Sequence, residues 1–293
     1  MADKEIDKVS GVETTGHEWD GIKELNNPLP RWWLWTFYAT IVFSVGYMAY
    51  YPAIPLIEGS TMGISGQTNR SVLQQELKAA SEANAGLVSR IETSSLQDIR
   101  TNDELFRFAV AGGQSLYKVN CSQCHGSGAQ GAPGYPNLND DDWLWGGDLD
   151  AIYTTIKHGV RNGTADARDS LMPAYGEGIL EAPQIVQVAN YVMQLSGQEH
   201  DAASASTGKE LYAENCAACH GEDGKGGRDF GAPNLADQLW LYGGTVDQVA
   251  TQISKPKHGV MPAWGPKLDE AEVKKLTVYV HSLGGGEQSP ATQ

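Results

Sequence analysis

Cys121-Ser122-Gln123-Cys124-His125 is the stretch of sequence that decides the fold of this chain, and Cys216-Ala217-Ala218-Cys219-His220 repeats its C-x-x-C-H pattern. Two thiols at this spacing reach the two vinyl groups of one porphyrin, and each forms a thioether. The His directly after the second Cys then lies under the iron and supplies an imidazole nitrogen as a ligand. The sequence therefore predicts two covalently attached c-type haems, held by Cys121, Cys124 and His125 and by Cys216, Cys219 and His220.

Paired cysteines have two other common interpretations. A thioredoxin-like redox pair lies at a strand-to-helix junction and needs no His after it. A zinc ribbon takes two Cys pairs into one site, so the ligand count alone leaves zinc open. Both pairs here carry the same adjacent His, and each is followed by its own Met-containing segment. All four cysteines lie in the two motifs, which leaves none for a structural disulfide. The pattern favours haem.

An internal repeat surrounds the two motifs. The segment MPAYG at 172–176 aligns with MPAWG at 261–265. The segment IVQVANYVMQLSG at 185–197 aligns with VKKLTVYVHSLGG at 273–285. Each repeat has the order helix, long loop, helix, Met-containing loop and final helix, and it resembles a class I cytochrome c domain. We therefore expect a mainly α fold, with one N-terminal transmembrane helix followed by two tandem class I cytochrome c domains at 106–199 and 200–293.

The sixth ligand of each iron is predicted from the same repeat. Met172 and Met261 begin the matching Met-Pro-Ala blocks, and a thioether is a soft neutral donor that raises the reduction potential of a haem. His158 and His258, each in a Lys-His-Gly block, are the alternative ligands and would give a lower potential. The sequence leaves open whether each Met serves its own repeat or the neighbouring haem.

Other residues of the repeats are expected near the haems. By resemblance to related cytochromes, the backbone near Pro133 and Pro233 orients the two imidazoles, a role that fixes the ligand through its outer partner. Aromatic side chains are expected to wall the haems, although ordinary core packing explains them nearly as well; they are Trp143, Trp145, Tyr175, Trp240 and Trp264.

The stretch 32–57 carries no charged residue and is predicted to be a transmembrane anchor. Trp residues crowd its start and Tyr residues its later part, as in the aromatic belts of membrane proteins. Residues 1–31, polar and charged, are expected to be a flexible cytoplasmic tail. Residues 58–105 are expected to be a linker with one or two amphipathic helices. A modest excess of Lys and Arg before the anchor, and haem attachment outside the bacterial cytoplasm, predict the N-terminus inside and the haems outside.

The formal net charge of −15 bears on the partners. Such a field argues against nucleic acid and favours a basic protein, although acidity also serves solubility alone.

Residues outside the haem repeats carry a more specific resemblance. His-Glu-Trp-Asp-Gly-Ile at 17–22 leads to Asn-Pro-Leu-Pro-Arg-Trp-Trp at 27–33, and this run resembles the dihaem subunit of cbb3-type cytochrome c oxidases. The resemblance implies a bacterial inner-membrane protein without catalytic residues of its own. It would pass electrons from a donor cytochrome c through two haems to a monohaem subunit, and on to a haem-copper subunit that reduces oxygen.

Three other functions fit two haems beside a membrane. A free-standing dihaem shuttle would purify without a haem-copper partner. A dihaem peroxidase needs an iron with an open or exchangeable sixth position, and a gas sensor needs a Met that CO or NO displaces. Visible spectra with and without CO separate the last two from simple electron transfer.

Overall fold

The computed structural model describes residues 5–288, so residues 1–4 and 289–293, the ends of the predicted tail and of the second predicted domain, lie outside it. The chain forms two units, Met1–Ala83 and Asn84–Gln293. The N-terminal unit holds the strands β1 (Thr14–Trp19), β2 (Ile22–Leu25), β3 (Pro55–Leu56) and β4 (Gly59–Ser60), the helix α1 (Arg31–Tyr50) and the start of α2 (Asn69–Thr93). The C-terminal unit holds the rest of α2, then α3 (Leu96–Thr101), α4 (Asp103–Asn120), α5 (Ser122–His125), α6 (Leu149–His158), α7 (Ala182–Leu195), α8 (Ala202–Asn215), α9 (Ala217–His220), α10 (Val246–Ser254) and α11 (Glu270–His281).

The predicted flexible tail contains a β-hairpin, which corrects the sequence-based expectation. β1 and β2 pair antiparallel, with Trp19 opposite Ile22. The turn between them is Asp20-Gly21, and both residues have positive φ, 50° and 84°. This backbone is typical of a two-residue type I′ turn, for which Asp-Gly is a preferred sequence. The Asp-Gly turn that indicates a hairpin was therefore present in the sequence, but the polar composition around it favoured a flexible tail.

The predicted anchor forms the helix α1, which ends earlier than the uncharged stretch does. Tyr51 has extended backbone and precedes Pro52, a position at which helical backbone is disfavoured. None of the α1 side chains is buried. Within residues 5–288, no helix combines the length and the apolarity needed to cross a membrane, so the predicted transmembrane helix over 32–57 is not confirmed.

The predicted linker helices are α2 and α3. The side chains of Ser95 and Asn102 accept hydrogen bonds from backbone N–H groups of α3 and α4, as N-caps do. The apolar face of this region packs on the helices that follow, in a cluster of buried residues formed by Ile91, Leu96, Ile99, Leu105, Ala109, Leu149, Ala271 and Val278. The second half of the linker is thus part of the core of the C-terminal unit.

The two repeats exchange their last helices. The helix α4, which leads into the first Cys motif, packs on α11 at the end of the second repeat. The helix α8, which leads into the second Cys motif, packs on α7 at the end of the first repeat. In the same way α6 packs on α11, and α10 packs on α7. The domain bounds 106–199 and 200–293 follow the repeat in sequence and stay a prediction, because in space each half combines the start of one repeat with the end of the other.

Two glycines allow these helix pairs to approach closely. Gly113 in α4 and Gly208 in α8 occupy the same position of the repeat. A Cβ at Gly208 would lie 2.5 Å from the carbonyl carbon of Gln187, and one at Gly113 would lie 2.5 Å from the Cβ of Tyr279. Real Cβ atoms do not approach that closely, so a larger residue would force the helices apart.

The exchanged helices form two hydrophobic cores. The Tyr117 core contains buried residues of both repeats: Tyr117, Ala129, Ile152, Ile156, Val273, Leu276 and Val280. The Tyr212 core is its counterpart and includes Tyr175, Ile185, Val188, Tyr191, Val192, Met193, Tyr212, Cys216, Val249 and Ile253.

Candidate haem-binding sites

Each Cys motif sits where a long helix gives way to a single helical turn. Cys121 caps α4 and precedes α5, and Cys216 caps α8 and precedes α9. Residues three apart lie on one face of a helix, so this turn places the two thiols of each motif on the same side. Burial, with a smaller contribution from the second Cys of the motif, raises the pKa of the Cys121 and Cys216 thiols to about 11. Both groups are therefore uncharged thiols at neutral pH.

The two imidazoles are oriented by backbone carbonyls. The Nδ1 atom of His125 lies 3.0 Å from the carbonyl oxygen of Pro136, and Nδ1 of His220 lies 3.1 Å from that of Pro233. A carbonyl oxygen only accepts, so Nδ1 carries the proton and Nε2 keeps a free lone pair for a metal. Burial lowers the pKa of both His residues, and the hydrogen bonds partly oppose this shift. The orienting carbonyl in the first site belongs to Pro136, three residues after Pro133, and that in the second site belongs to Pro233 itself.

Two buried tyrosines, which were not among the predicted site residues, hold the turn after each His. The Tyr117 hydroxyl donates to the Gly126 carbonyl at 2.9 Å, and the Tyr212 hydroxyl donates to that of Gly221 at 2.8 Å. Burial raises the pKa of both hydroxyls, that of Tyr117 to about 12. The repeated Leu-Tyr pair, four residues before each first Cys, was the available signal.

The structure places each predicted Met ligand with the other repeat. Met172, from the first repeat, lines a cavity together with His220 of the second. Met261, from the second repeat, packs on the Tyr117 core together with Cys121 of the first. Each Met therefore lies on the side of the Cys motif of the other repeat, and its role as a ligand there stays a prediction.

Backbone hydrogen bonds hold both exchanged loops. The N–H groups of Tyr175 and Gly176 donate to carbonyls at the end of α10, at 3.2 and 3.1 Å. The equivalent N–H groups of Trp264 and Gly265 donate to carbonyls at the end of α6, at 3.2 and 3.0 Å. In addition, Val160 and Met261 exchange two backbone hydrogen bonds of 2.9 Å each. Because the backbone after each Met is tied in this way, the position of the loop does not depend on the thioether alone.

The alternative His ligands have different surroundings. His158 lies 4.0 Å from the Asp166 carboxylate and lines neither of the two cavities around His220. His258 lines the smaller of these cavities, together with Met172. Burial and the nearby Arg161 lower the pKa of His258, and a hydrogen bond to the Met172 backbone opposes them. The ring of His258 is thus close to the Met172 loop, on the side of the second Cys motif.

The residues around His220 fit a haem. Cavities of about 670 and 140 Å³ adjoin this side chain, the larger within the usual range for bound cofactors, and Met172 lines both. The larger cavity is bounded mainly by apolar and aromatic side chains, which include Val192, Leu235 and Trp240. The indole Nε1 atom of Trp240 is buried and has no hydrogen-bond partner among the described residues. A flat apolar macrocycle with polar groups on its edge matches this lining.

The two Cys pairs do not form a common metal site, since Cys121 packs on the Tyr117 core and Cys216 belongs to the Tyr212 core. Two C-x-x-C-H turns, each with an oriented imidazole and a Met from the other repeat, define a dihaem c-type cytochrome.

Comparisons with known proteins agree with this class. The family described as "Cytochrome C oxidase, cbb3-type, subunit III" matches residues 108–192 and 203–280, and the "N-terminal domain of cytochrome oxidase-cbb3, FixP" matches residues 11–58. The cbb3-type cytochrome c oxidase subunit FixPc of Rhizobium leguminosarum bv. viciae is 54% identical over 98% of this chain and 100% of its own length. The subunit CcoP of Cereibacter sphaeroides is 53% identical over 94% of this chain and 95% of its own.

The chain therefore belongs to the FixP/CcoP family of cbb3-type cytochrome c oxidase subunits. It is an electron-transfer subunit that carries two haem c groups and is associated with the membrane through its complex, and it is not an enzyme by itself.

Proposed function

We propose that this chain conducts electrons from a donor cytochrome c, through its two sites, to the monohaem subunit and then to the haem-copper, oxygen-reducing subunit of a cbb3-type oxidase. The observation that supports the proposal is that the oriented imidazole of His220 and the side chain of Met172 line the same cavity, while Met261 and Cys121 pack on the same core. Each bound haem supplies an iron that accepts and gives up one electron.

The side chains at the two sites restrict the chemistry to electron transfer and exclude reactions with oxygen or peroxide. We assign His125 and Met261 as the axial ligands of the first site, and His220 and Met172 as those of the second. A haem iron held by both an imidazole and a thioether would have no position left for oxygen or peroxide. The soft thioether favours the ferrous state, which suits a site that receives electrons from a cytochrome c.

The finer localisation is also part of the proposal. We place α1 in the bacterial inner membrane as a single-pass anchor in contact with lipid, with the N-terminus in the cytoplasm and the haem sites in the periplasm. Between Trp32 and Tyr50 the helix has no charged residue, and all of its large apolar side chains except Leu34 are exposed. An exposed apolar surface of this size in a soluble environment is unusual, and contact with lipid or with a membrane subunit would cover it.

The acidic character of the chain supports a basic donor. With a net charge of −15, the surface attracts a basic cytochrome and increases the rate of productive encounters. Reduction of the chain by such a donor should slow as the ionic strength rises towards 1 M, where the screening length falls to about 3 Å. A rate that does not depend on salt would contradict this step.

The ligand assignment is tested in a chain that retains only the second haem, because Cys121 and Cys124 are replaced by Ala. In this background Met172→Leu should lower the reduction potential and allow CO to bind the ferrous haem, whereas Met261→Leu should change neither. Met193→Leu is the matched control, since Met193 is buried in the Tyr212 core but lines neither cavity.

Each result discriminates between arrangements. If Met261→Leu lowered the potential and Met172→Leu did not, each Met would serve its own repeat. If neither substitution changed the spectrum, the axial assignment would be wrong, while a positive haem stain on a denaturing gel would still support covalent attachment.

A further inference from the structure

The first repeat carries an insertion that the second repeat lacks. Lys-His-Gly-Val at 157–160 aligns with Lys-His-Gly-Val at 257–260. In the second repeat Met261 follows directly, whereas in the first repeat the segment RNGTADARDSL at 161–171 separates Val160 from Met172. Such a difference between otherwise matching repeats indicates a task that only one of them performs.

The start of the insertion folds onto the Met261 segment of the second repeat. Val160 and Met261 exchange two backbone hydrogen bonds, and the Nδ2 group of Asn162 also donates to the Met261 carbonyl, at 3.1 Å. The Nε group of Arg161 donates to the Gly259 carbonyl at 2.8 Å. These three residues of the first repeat, Val160, Arg161 and Asn162, form a clamp on the second repeat, the Met261 clamp.

The amide of Asn162 is oriented by its surroundings. Its Oδ1 atom accepts from the N–H and the hydroxyl of Thr164, at 3.0 and 2.7 Å, and Nδ2 also donates to the His158 carbonyl at 2.8 Å. A carbonyl only accepts and a backbone N–H only donates, so the reverse orientation of the amide would lose these bonds. Arg161 has a φ of 50°, and such strained backbone persists only where surrounding contacts fix it. The clamp is therefore a defined turn.

The second repeat gives Met172 no equivalent hold. Within residues 5–288, neither Met172 nor Val260, the counterpart of Val160, takes part in a backbone–backbone hydrogen bond. The Met172 backbone is instead hydrogen-bonded by the ring of His258. The peptide groups of Met261 are thus held by a loop of the other repeat, and those of Met172 are not.

We propose that Asn162 is a positioning residue, which holds the Met261 thioether at the haem attached to Cys121 and Cys124 and opposes its displacement by an external ligand. The Met261 side chain packs on the Tyr117 core, so a ligand that replaces the thioether has to move the Met261 backbone as well. The hydrogen bonds of the clamp then break, and their free energy adds to the resistance. The proposal rests on Met261 as a ligand, under the proposed function, and deepens it by naming the residue that fixes this ligand.

The test uses the complete two-haem chain, labelled with ¹³C in the methyl groups of Met. In the ferrous state, a Met methyl group that lies against a haem is shifted strongly upfield by the ring current, which separates the two axial Met signals from the others. Titration with CO removes each upfield signal as CO replaces that thioether. The titration therefore gives one CO affinity for each site.

Asn162→Asp removes the donor Nδ2 and keeps the acceptor Oδ1 in a side chain of the same size. We expect it to raise the CO affinity at the Met261 site about fivefold, which corresponds to about 1 kcal/mol, and to leave the affinity at the Met172 site unchanged. Asn162→Ala adds no charge and should have the same effect. The matched control is Asn139→Asp, because the Nδ2 group of Asn139 donates to the Gly128 carbonyl at 2.7 Å and makes no hydrogen bond to Met261.

The outcomes separate positioning from a general loss of stability. Unchanged CO affinity in both Asn162 variants, or equal changes at both sites, would overturn the proposal. A rise at the Met261 site in Asn139→Asp as large as in Asn162→Asp would overturn it as well. If no upfield signal belonged to Met261, the ligand assignment itself would be wrong, whereas an upfield Met261 signal with unchanged affinity would contradict only the role of Asn162.

A measurement on the unsubstituted protein covers the case in which the variants fail to fold. The N–H groups of Val160 and Met261 donate to each other's carbonyls, whereas the Met172 N–H has no backbone acceptor within residues 5–288. In hydrogen exchange, the amides of Val160 and Met261 should therefore exchange at least about tenfold more slowly than that of Met172. Equal exchange rates would refute the clamp.

Discussion

Exchange of the last helices between the repeats predicts which tyrosines are energetically coupled. Tyr191 of α7 lies edge-on to Tyr212 of α8, with ring centroids 5.2 Å apart and planes at 61°. Tyr279 of α11 faces Tyr117 of α4 at 5.5 Å. If each repeat folded by itself, the partners would be reversed, and Tyr191 would meet Tyr117. A double-mutant cycle on Tyr191 and Tyr212, with Leu at each position, measures the pairing directly.

The size of the coupling follows from the geometry. Aromatic pairs in this arrangement contribute about 0.5–1.5 kcal/mol beyond the area that they bury. The single substitution Tyr212→Leu also removes the hydrogen bond to Gly221, but that loss occurs in both arms of the cycle and cancels. We therefore expect a coupling of about 1 kcal/mol for Tyr191 with Tyr212. For Tyr191 with Tyr117, which belong to different cores, we expect a value within about 0.5 kcal/mol of zero.

The assay is urea unfolding of the haem-loaded protein, followed by the absorbance of the haem and by circular dichroism. The two signals must agree before a free energy of unfolding is assigned, because a chain of this size can unfold in steps. A larger coupling between Tyr191 and Tyr117 than between Tyr191 and Tyr212 would refute helix exchange, and with it the crossed Met ligands.

Three further predictions concern the same unit. Gly208→Ala should lower the free energy of unfolding by about 1–3 kcal/mol, because its Cβ would meet the backbone of α7. The control Gly86→Ala, which has open space around it, should raise the free energy of unfolding by about 0.5–1 kcal/mol. Thermal unfolding of both variants measures the difference. Lys274→Met should cost about 1.5–3 kcal/mol, because the ammonium donates to two carbonyls at the end of α2, at 2.7 and 2.9 Å; no loss of stability would contradict that role. Burial and, to a lesser degree, neighbouring Asp carboxylates raise the pKa of Asp142 to about 6, above its value in the unfolded chain. Its folded form therefore binds the proton more tightly, and stability should fall as the pH rises from about 4 to about 6. Asp142→Asn should remove this part of the pH dependence, and melting curves of both proteins at pH 5 and pH 8 would detect it.

The sequence alone was informative wherever function depends on residues close together in the chain. The C-x-x-C-H turns, the Met-Pro-Ala blocks and the repeat predicted a mainly helical protein with two haem sites. The Asp20-Gly21 turn was equally readable, although the composition around it suggested a flexible tail. The anchor was predicted from an uncharged stretch, and the structure forms a helix there without confirming that it crosses a membrane.

Only the tertiary structure places each Met beside the Cys motif of the other repeat. The two final helices present nearly the same apolar face, and α4 and α8 receive them through the same glycine position, at Gly113 and Gly208. Local hydrophobic periodicity cannot distinguish two such similar partners. Only the path of the connecting chain, and the loops that it ties to α6 and α10, place Met172 with His220. Trp143 and Trp240 are likewise equivalent in the repeat, yet the Gly285 carbonyl accepts from Trp143 whereas Trp240 has no partner among residues 5–288.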